Sequence, residues 1–389
     1  MSNPKILIVD DEPFNVDYLE QELEELQYQT SSAVNGQDAL AKVECESPDL
    51  ILLDIMMPVL DGFQVLSQLK ANPATRDIPV VVISANSDLQ SIVKGIQLGA
   101  EDYLPKPFEP TLLRARIASS LEKKHLRDLQ HLYLKSMERE LEIGRQIQRG
   151  FLPRKLPQVS GWEIASYFKS AREVAGDFYD AFHLESEQRL CLVIADVCDK
   201  GVGAALFMTL FRSLLRFTIG ASDLSVDGSP TSRLKQAATL TNNYIAHTHG
   251  ETGMFATVFI GLLDPSTGIL SYINAGHESP LLLDVSSGCI ALTRTGPAVG
   301  VIPNMEFAVR EAELKPGQLL FAFTDGAPDA LNSAGERLGR DGLFSRLHAD
   351  LSAEMLLAEI SKELTEYMTG ADQFDDITLL AVRRLPVDI

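Results

Sequence analysis

Eight aspartates in two separated groups are the residues of this chain best suited to chemistry. Asp10, Asp11 and Asp54, with Ser84 and Lys106 downstream, form the first group. Asp177, Asp196, Asp325 and the adjacent pair Asp375 and Asp376 form the second. Carboxylates gathered without softer ligands select hard cations such as Mg²⁺ or Mn²⁺. Such cations offset the charge that makes phosphate resist attack by an anion. Each group is expected at strand ends, where short side chains from separate strands converge. The first is composed to take up a phosphoryl group and the second to remove one, so the chain reads as a switch joined to an enzyme.

The elements around the first group follow from periodicity. Residues 6–9, 50–53 and 79–83 are nearly all apolar, as in strands buried on both faces of a parallel sheet. Between them Val16, Leu19, Leu23 and Leu26 recur at helical spacing. Five such repeats predict a doubly wound, five-stranded, flavodoxin-like α/β domain, with its site at the carboxyl ends of the strands. Taken singly, Asp10 or Asp11 could cap a helix, Ser84 end a strand and Lys106 be a surface charge; five such residues in order at strand ends argue against coincidence.

These residues stand in the strings VDDE, LLDIMMP, VVISA and DYLPKPF, which resemble the response-regulator receiver domain from Lys5 to about Leu121. The resemblance implies that Asp54 is the phosphoacceptor and that Asp11, Asp54 and the Met56 carbonyl hold Mg²⁺, with Asp10 supporting the metal through water. Ser84 and Lys106 would bind phosphoryl oxygens, and Tyr103 would be the switch residue. The Lys106–Pro107 bond is a candidate cis peptide. A sensor histidine kinase or phosphotransfer protein is the implied donor.

Residues 112–150 contain no proline and little glycine, and are dense in Leu, Glu, Arg and Lys. Leu121, Leu126, Leu129, Leu132, Met137 and Leu141 form an apolar stripe without a clean heptad. A long helix is expected, continuing the receiver's last helix and serving as a parallel coiled coil in a homodimer. The other reading packs it on its own domain. Gly144 is a candidate bend. The expected division is a receiver over 1–121, a helical linker over 122–153 and an output domain over 154–389.

Beyond residue 159 strand patterns dominate, at 190–195, 257–263, 269–273, 280–283 and 319–324. Helical stretches lie at 203–217, 231–245 and 353–368. Segregated strands and helices predict an α+β domain with two stacked sheets. The second aspartate group stands in REVAGDFYD, IADVCDKGVGAALFM, FTDGAPDALN and FDDITLLAVR, with NAGHESPLLL around Asn274 and His277. With the lead-in EIGRQIQRGFLP, these strings resemble the SpoIIE-like branch of the PPM metal-dependent serine/threonine phosphatases over roughly residues 140–385.

That resemblance implies two Mn²⁺ or Mg²⁺ ions in a cleft between the sheets. Asp196 would bridge them beside the Val197 carbonyl, Asp325 and Asp375 would complete one metal, and Asp177 would anchor waters. Asp376 could exchange roles with Asp375. Arg172, five residues before Asp177, is a candidate clamp for phosphate oxygens, its other reading being a solvated surface arginine. The implied substrate is a phosphorylated anti-sigma-factor antagonist in a partner-switching pathway.

Departures from the family pattern are Ala175–Gly176 for Gly-Gly, Asp199 for a small residue before Lys200, and Pro328–Asp329 for Thr-Glu; none removes a proposed ligand. Cys198 stands where some relatives carry a histidine that acts as acid, and His277 is read as ordering a turn. A non-catalytic adaptor that binds a partner through the phosphatase-like half is the alternative, and intact metal aspartates argue against it.

Composition narrows the rest. The 389 residues exceed one ordinary domain. A net charge of −20 argues against nucleic acid, whose binding needs a basic face. Four scattered cysteines without a C-x-x-C pair fit reduced thiols. With neither a signal peptide nor an apolar run near 18 residues apparent, a soluble cytoplasmic protein away from membranes is expected.

Overall fold

A computed structural model of the chain describes residues 3–85, 89–184, 188–221, 229–285 and 288–386. Two compact units emerge, Met1–Glu138 and Arg139–Ile389.

In the first unit, strands β1 (Lys5–Val9), β2 (Gln29–Ala33), β3 (Leu50–Asp54), β4 (Val80–Ala85) and β5 (Asp102–Lys106) alternate with helices α1 (Pro13–Glu25), α2 (Gly36–Glu46), α3 (Gly62–Ala71), α4 (Leu89–Gln97) and α5 (Pro110–Phe151). The sheet is parallel in the order β2-β1-β3-β4-β5. Its central strands are apolar along their middles, ILIV in β1, LILL in β3 and VVVI in β4, because both faces are covered there. Leu7, Val9, Ile51 and Leu53 pack against Val43 of α2 and Val65 and Leu69 of α3. Ile6, Ile8, Leu50 and Leu52 pack against Leu19 and Leu23 of α1 and Leu113 and Ile117 of α5. The edge strand β2 reads QTSSA, polar because one of its sides is unpaired.

Helix α5 runs 42 residues without a break at Gly144, joining the two units. Along it Leu126, Leu129, Leu132, Tyr133, Leu134 and Met137 are all about half or more exposed.

The second unit continues with β6 (Trp162–Lys169), β7 (Phe178–Leu184), β8 (Arg189–Val197), α6 (Val202–Gly220), α7 (Pro230–Thr248), β9 (Ala256–Leu263), β10 (Ile269–Ala275), β11 (Leu281–Asp284), β12 (Gly288–Ala291), β13 (Arg310–Glu313), β14 (Leu319–Phe323), α8 (Gly339–Phe344), α9 (Ala353–Tyr367) and β15 (Ile377–Arg384). Two five-stranded antiparallel sheets form, ordered β13-β10-β9-β8-β7 and β12-β11-β14-β15-β6.

Alternation along the strands assigns the layers. In β8, Leu190, Leu192 and Ile194 join Phe259, Leu320, Ala322, Leu380 and Val382 in the core between the sheets. Cys191, Val193, Ala195 and Val197 point the other way, against Ala204, Met208, Phe211 and Leu215 of α6 and Leu234 and Ala238 of α7. On the far face, Leu319, Phe321 and Phe323 of β14 meet Leu356, Leu357, Ile360 and Leu364 of α9. The result is a four-layer sandwich of helices, sheet, sheet and helices.

One expectation is corrected here. Val202–Gly220 is a helix long and apolar enough to cross a bilayer by length and composition. Arg212 and Arg216 break the continuous apolar run and hide it from a reading by unbroken stretches. Both arginines pair with the buried Asp180 of β7, and one face of α6 is packed in the core.

Candidate metal centres

The carboxyl end of the first sheet gathers the receiver residues. Asp10, Asp11 and Asp54 bring ligand oxygens within 4.8 Å of one another. Lys106, the last residue of β5, places its Nζ 3.0 Å from Asp10 Oδ2 and 3.1 Å from Asp54 Oδ1. Asp10 is buried, and its Oδ1 accepts from the Glu12 amide and Asn15 Nδ2, which fix its rotamer. Burial pushes the Asp54 carboxyl up to about 6, an effect that Lys106 opposes and the charge of Asp10 reinforces. Buried Ser84 Oγ has no hydrogen-bond partner among the described residues, which suits a hydroxyl meant for an incoming oxygen. Tyr103 is half-buried beneath the Arg116 guanidinium, 5.4 Å from its ring centre. The Lys106–Pro107 bond is cis. Met56 lies just past β3 with its side chain exposed. The donor set is all oxygen and fits Mg²⁺.

The second group converges where strands of both sheets end. Asp177 immediately precedes β7, and Asp196 is the penultimate residue of β8. Asp325 lies two residues past β14, and Asp375 and Asp376 lead into β15. Pairing of Phe178 with Ala195 sets Asp177 beside Asp196. Asp177 Oδ2 accepts from both Thr324 Oγ1 and Thr378 Oγ1, at 2.7 Å each, so two hydroxyls of the opposite sheet orient it.

Two glycines permit this approach. A Cβ at Gly326 would lie 1.9 Å from the Asp376 carbonyl, and one at Gly176 would lie 2.8 Å from the Val197 carbonyl. Asp199 adopts φ 72°, a left-handed conformation that Asp tolerates better than most residues.

The adjacent pair divides its work. Asp376 is committed to the chain: Oδ1 accepts from the Ala171 amide and Oδ2 from the Gly176 amide, closing the loop before Asp177. Asp375 pairs with Lys200 Nζ at 2.8 Å. Lys200 also donates to the Phe374 carbonyl and covers the Phe374 ring. Among the described residues only Asp10, Asp11 and Asp54 bring three ligand oxygens within 4.8 Å of one another; in the second group Asp376 is held by backbone amides and Asp375 by Lys200.

Burial and mutual repulsion raise these acids. Asp177 is pushed well above the carboxylate range by burial, then by the charges of Asp196 and Asp376. Asp196 is raised to about 7 by burial, then by Asp325 and Asp375. Asp325 is raised to about 6 by burial, then by Asp375. An all-oxygen set with this much unrelieved repulsion fits hard divalent cations.

Asp196 and Asp325 line a cavity of about 130 Å³ with Thr257, Gly276, His277, Glu278 and Arg294. His277 is buried, its Nδ1 lies 2.8 Å from Thr257 Oγ1, and burial with the nearby Arg294 charge lowers its pKa to about 3. His277 therefore belongs to the cavity wall, beyond the turn-ordering role expected of it. Arg172 is exposed on the loop after β6, one residue past the Ala171 amide that holds Asp376. Sequence reasoning missed Thr324, Thr378, Glu278 and Arg294; the first two are flagged only by adjoining aspartate motifs in FTDG and DDIT.

A parallel five-stranded receiver ahead of a four-layer sandwich with carboxylates at its seam defines a response regulator with a phosphatase-type output. The chain belongs to the SpoIIE family: the model of stage II sporulation protein E matches residues 186–385, and that of the response regulator receiver domain matches residues 6–118. Protein IcfG of Synechocystis sp. is 46% identical over 263 residues, 63% of this chain and 41% of IcfG. Response regulator PleD of Caulobacter vibrioides is 45% identical over 115 residues, 30% of this chain and 25% of PleD. The chain thus spans less than half the length of these curated relatives. The SiaA-PP2C domain of Pseudomonas aeruginosa shares the fold of the second unit, with TM-score 0.53 and 22% identity, covering 64% of this chain and 98% of that domain.

Proposed function

We propose that this chain is a metal-dependent phosphoserine/phosphothreonine protein phosphatase under receiver control. A sensor histidine kinase or phosphotransfer protein phosphorylates Asp54, and the output domain dephosphorylates a protein, by motif resemblance an anti-sigma-factor antagonist. The supporting observation is the cavity wall, where Asp196 and Asp325 stand together with raised pKa values, Asp196 through burial and then the charges of Asp325 and Asp375, Asp325 through burial and then the charge of Asp375. Evolution keeps such repulsion chiefly where ligands or chemistry use it.

In this reading Asp196, the Val197 carbonyl, Asp325 and Asp375 would hold the cations. Asp177, aimed by Thr324 and Thr378, orients water, while Asp376 fixes the loop carrying Arg172, the candidate clamp on phosphate oxygens. Bound Mn²⁺ or Mg²⁺ supplies charge neutralisation and an activated nucleophile. In the receiver, Asp11, Asp54 and the Met56 carbonyl would hold Mg²⁺ with Asp10 in support, Lys106 and Ser84 would receive phosphoryl oxygens, and Tyr103 would report the change. The exposed stripe on α5 pairs two copies in a homodimer.

The test is hydrolysis of p-nitrophenyl phosphate and a phosphoserine peptide by the full-length protein in Mn²⁺. Turnover that chelation removes and Asp196→Asn reduces to background is expected. Folded wild type without turnover on either substrate would overturn the reading in favour of a partner-binding adaptor.

A further inference from the structure

The cavity beside Asp196 and Asp325 is acidic apart from one cation. Asp196, Asp325 and Glu278 line it, and the basic residue in its wall is Arg294. Arg294 is anchored by one end, since its Nε donates to the His277 carbonyl at 3.1 Å. Its Nη2 lies 3.9 Å from Glu278 Oε1, beyond hydrogen-bond length. Glu278 is held instead by Arg340 of α8, with Arg340 Nε 3.0 Å from Oε2 and Arg340 Nη2 2.7 Å from Oε1. That two-pronged contact is the strong geometry for guanidinium and carboxylate. Lys200, the other cation near these acids, is committed to Asp375 and the Phe374 carbonyl.

The geometry points to Arg294 as a phosphoryl-oxygen ligand of the substrate, with Arg340 as the positioning residue that keeps Glu278 from capturing it. The inference rests on the phosphatase reading and deepens it by assigning a phosphate-binding cation in addition to the candidate clamp Arg172. A guanidinium fixed through Nε presents its two Nη groups as a fork, which matches two oxygens of a phosphoryl group. Were Glu278 free, it would turn to Arg294, and the cavity would hold a closed ion pair. With Arg340 on Glu278, the Arg294 side chain lines the cavity and remains 56% exposed, open to an incoming anion. A second cavity of about 570 Å³ shares Glu278 and Arg294 and adds Arg340, Leu281, Phe323 and Phe344, so the same ion-pair network lines both cavities.

The experiment measures binding of inorganic phosphate to the Mn²⁺-loaded full-length protein by calorimetry, and its inhibition constant against p-nitrophenyl phosphate. Arg294→Gln is expected to weaken phosphate about tenfold by both measures, the loss of roughly one charge-assisted hydrogen bond. Arg294→Lys should recover part of it, because charge remains without the fork. Arg340→Gln should weaken phosphate severalfold, and adding Glu278→Gln should restore it, a rescue that a merely structural Arg340 would not show. Unchanged phosphate affinity in folded Arg294→Gln would overturn the inference, as would a loss confined to Arg172→Gln. Wild type that binds phosphate but turns over no ester would instead count against the phosphatase reading.

Discussion

Asp375 and Asp376 carry the same side chain, and their surroundings separate them: backbone amides consume one, while a lysine that could be displaced faces the other. At the residue scale the acids at the seam also trade stability for function. Asp196 has a folded pKa near 7, above its ordinary 3.8. Between those values the folded state holds the extra proton, so its contribution to stability is lost as pH rises through that window. In metal-free protein, Asp196→Asn should therefore raise the free energy of unfolding, with a gain that grows from pH 4 to 7 and then levels at about 2–4 kcal/mol. Thermal scans across that range in chelator check it, and a gain independent of pH would contradict it. The aspartates were legible because residue type and motif order name them. Thr324, Thr378 and Arg294 were not, because the threonines act on Asp177 from 147 and 201 residues away, and the arginine's place depends on a cavity wall.

At the scale of elements, the predicted strands at 190–195, 257–263, 269–273 and 319–324 became β8, β9, β10 and β14 within one or two residues, since each is flanked by turns and buried on both faces. Helices α6, α7 and α9 also fell where their periodicity placed them. The edge strands β12 and β13 escaped: GCIA is wholly exposed and REAE is charged, so neither carries a buried pattern. Strand β6 and its partner β15 meet in an eight-residue register that only the fold creates. The turn after β14 has its own constraint. Gly326→Ala would force the backbone from the Asp376 carbonyl, and we expect a destabilisation of about 1–3 kcal/mol with weakened Mn²⁺ binding, read by denaturant titration and calorimetry. A variant as stable as wild type would mean that the β14 turn yields freely.

At the scale of the whole molecule, two cores are joined by one helix that belongs to both sequences of contacts: Leu113 and Ile117 pack in the receiver, and Gln148 exchanges hydrogen bonds with Ala175, two residues before Asp177. This end-to-end commitment makes α5 the candidate two-state element between the sites. Beryllofluoride, which mimics phosphorylated Asp54, should change turnover in the wild-type chain.

A helix of 42 residues is about 63 Å of uninterrupted spiral, so it transmits angle as faithfully as length. Each residue inserted between Leu126 and Met137 turns everything beyond it by about 100°, whereas seven residues turn it by nearly two full revolutions. The beryllofluoride response should vanish with two inserted residues and return with seven; equal responses at both lengths would show that phase carries no signal. If phase does carry it, this stretch is a clock face: descendants can lengthen it freely only in whole turns.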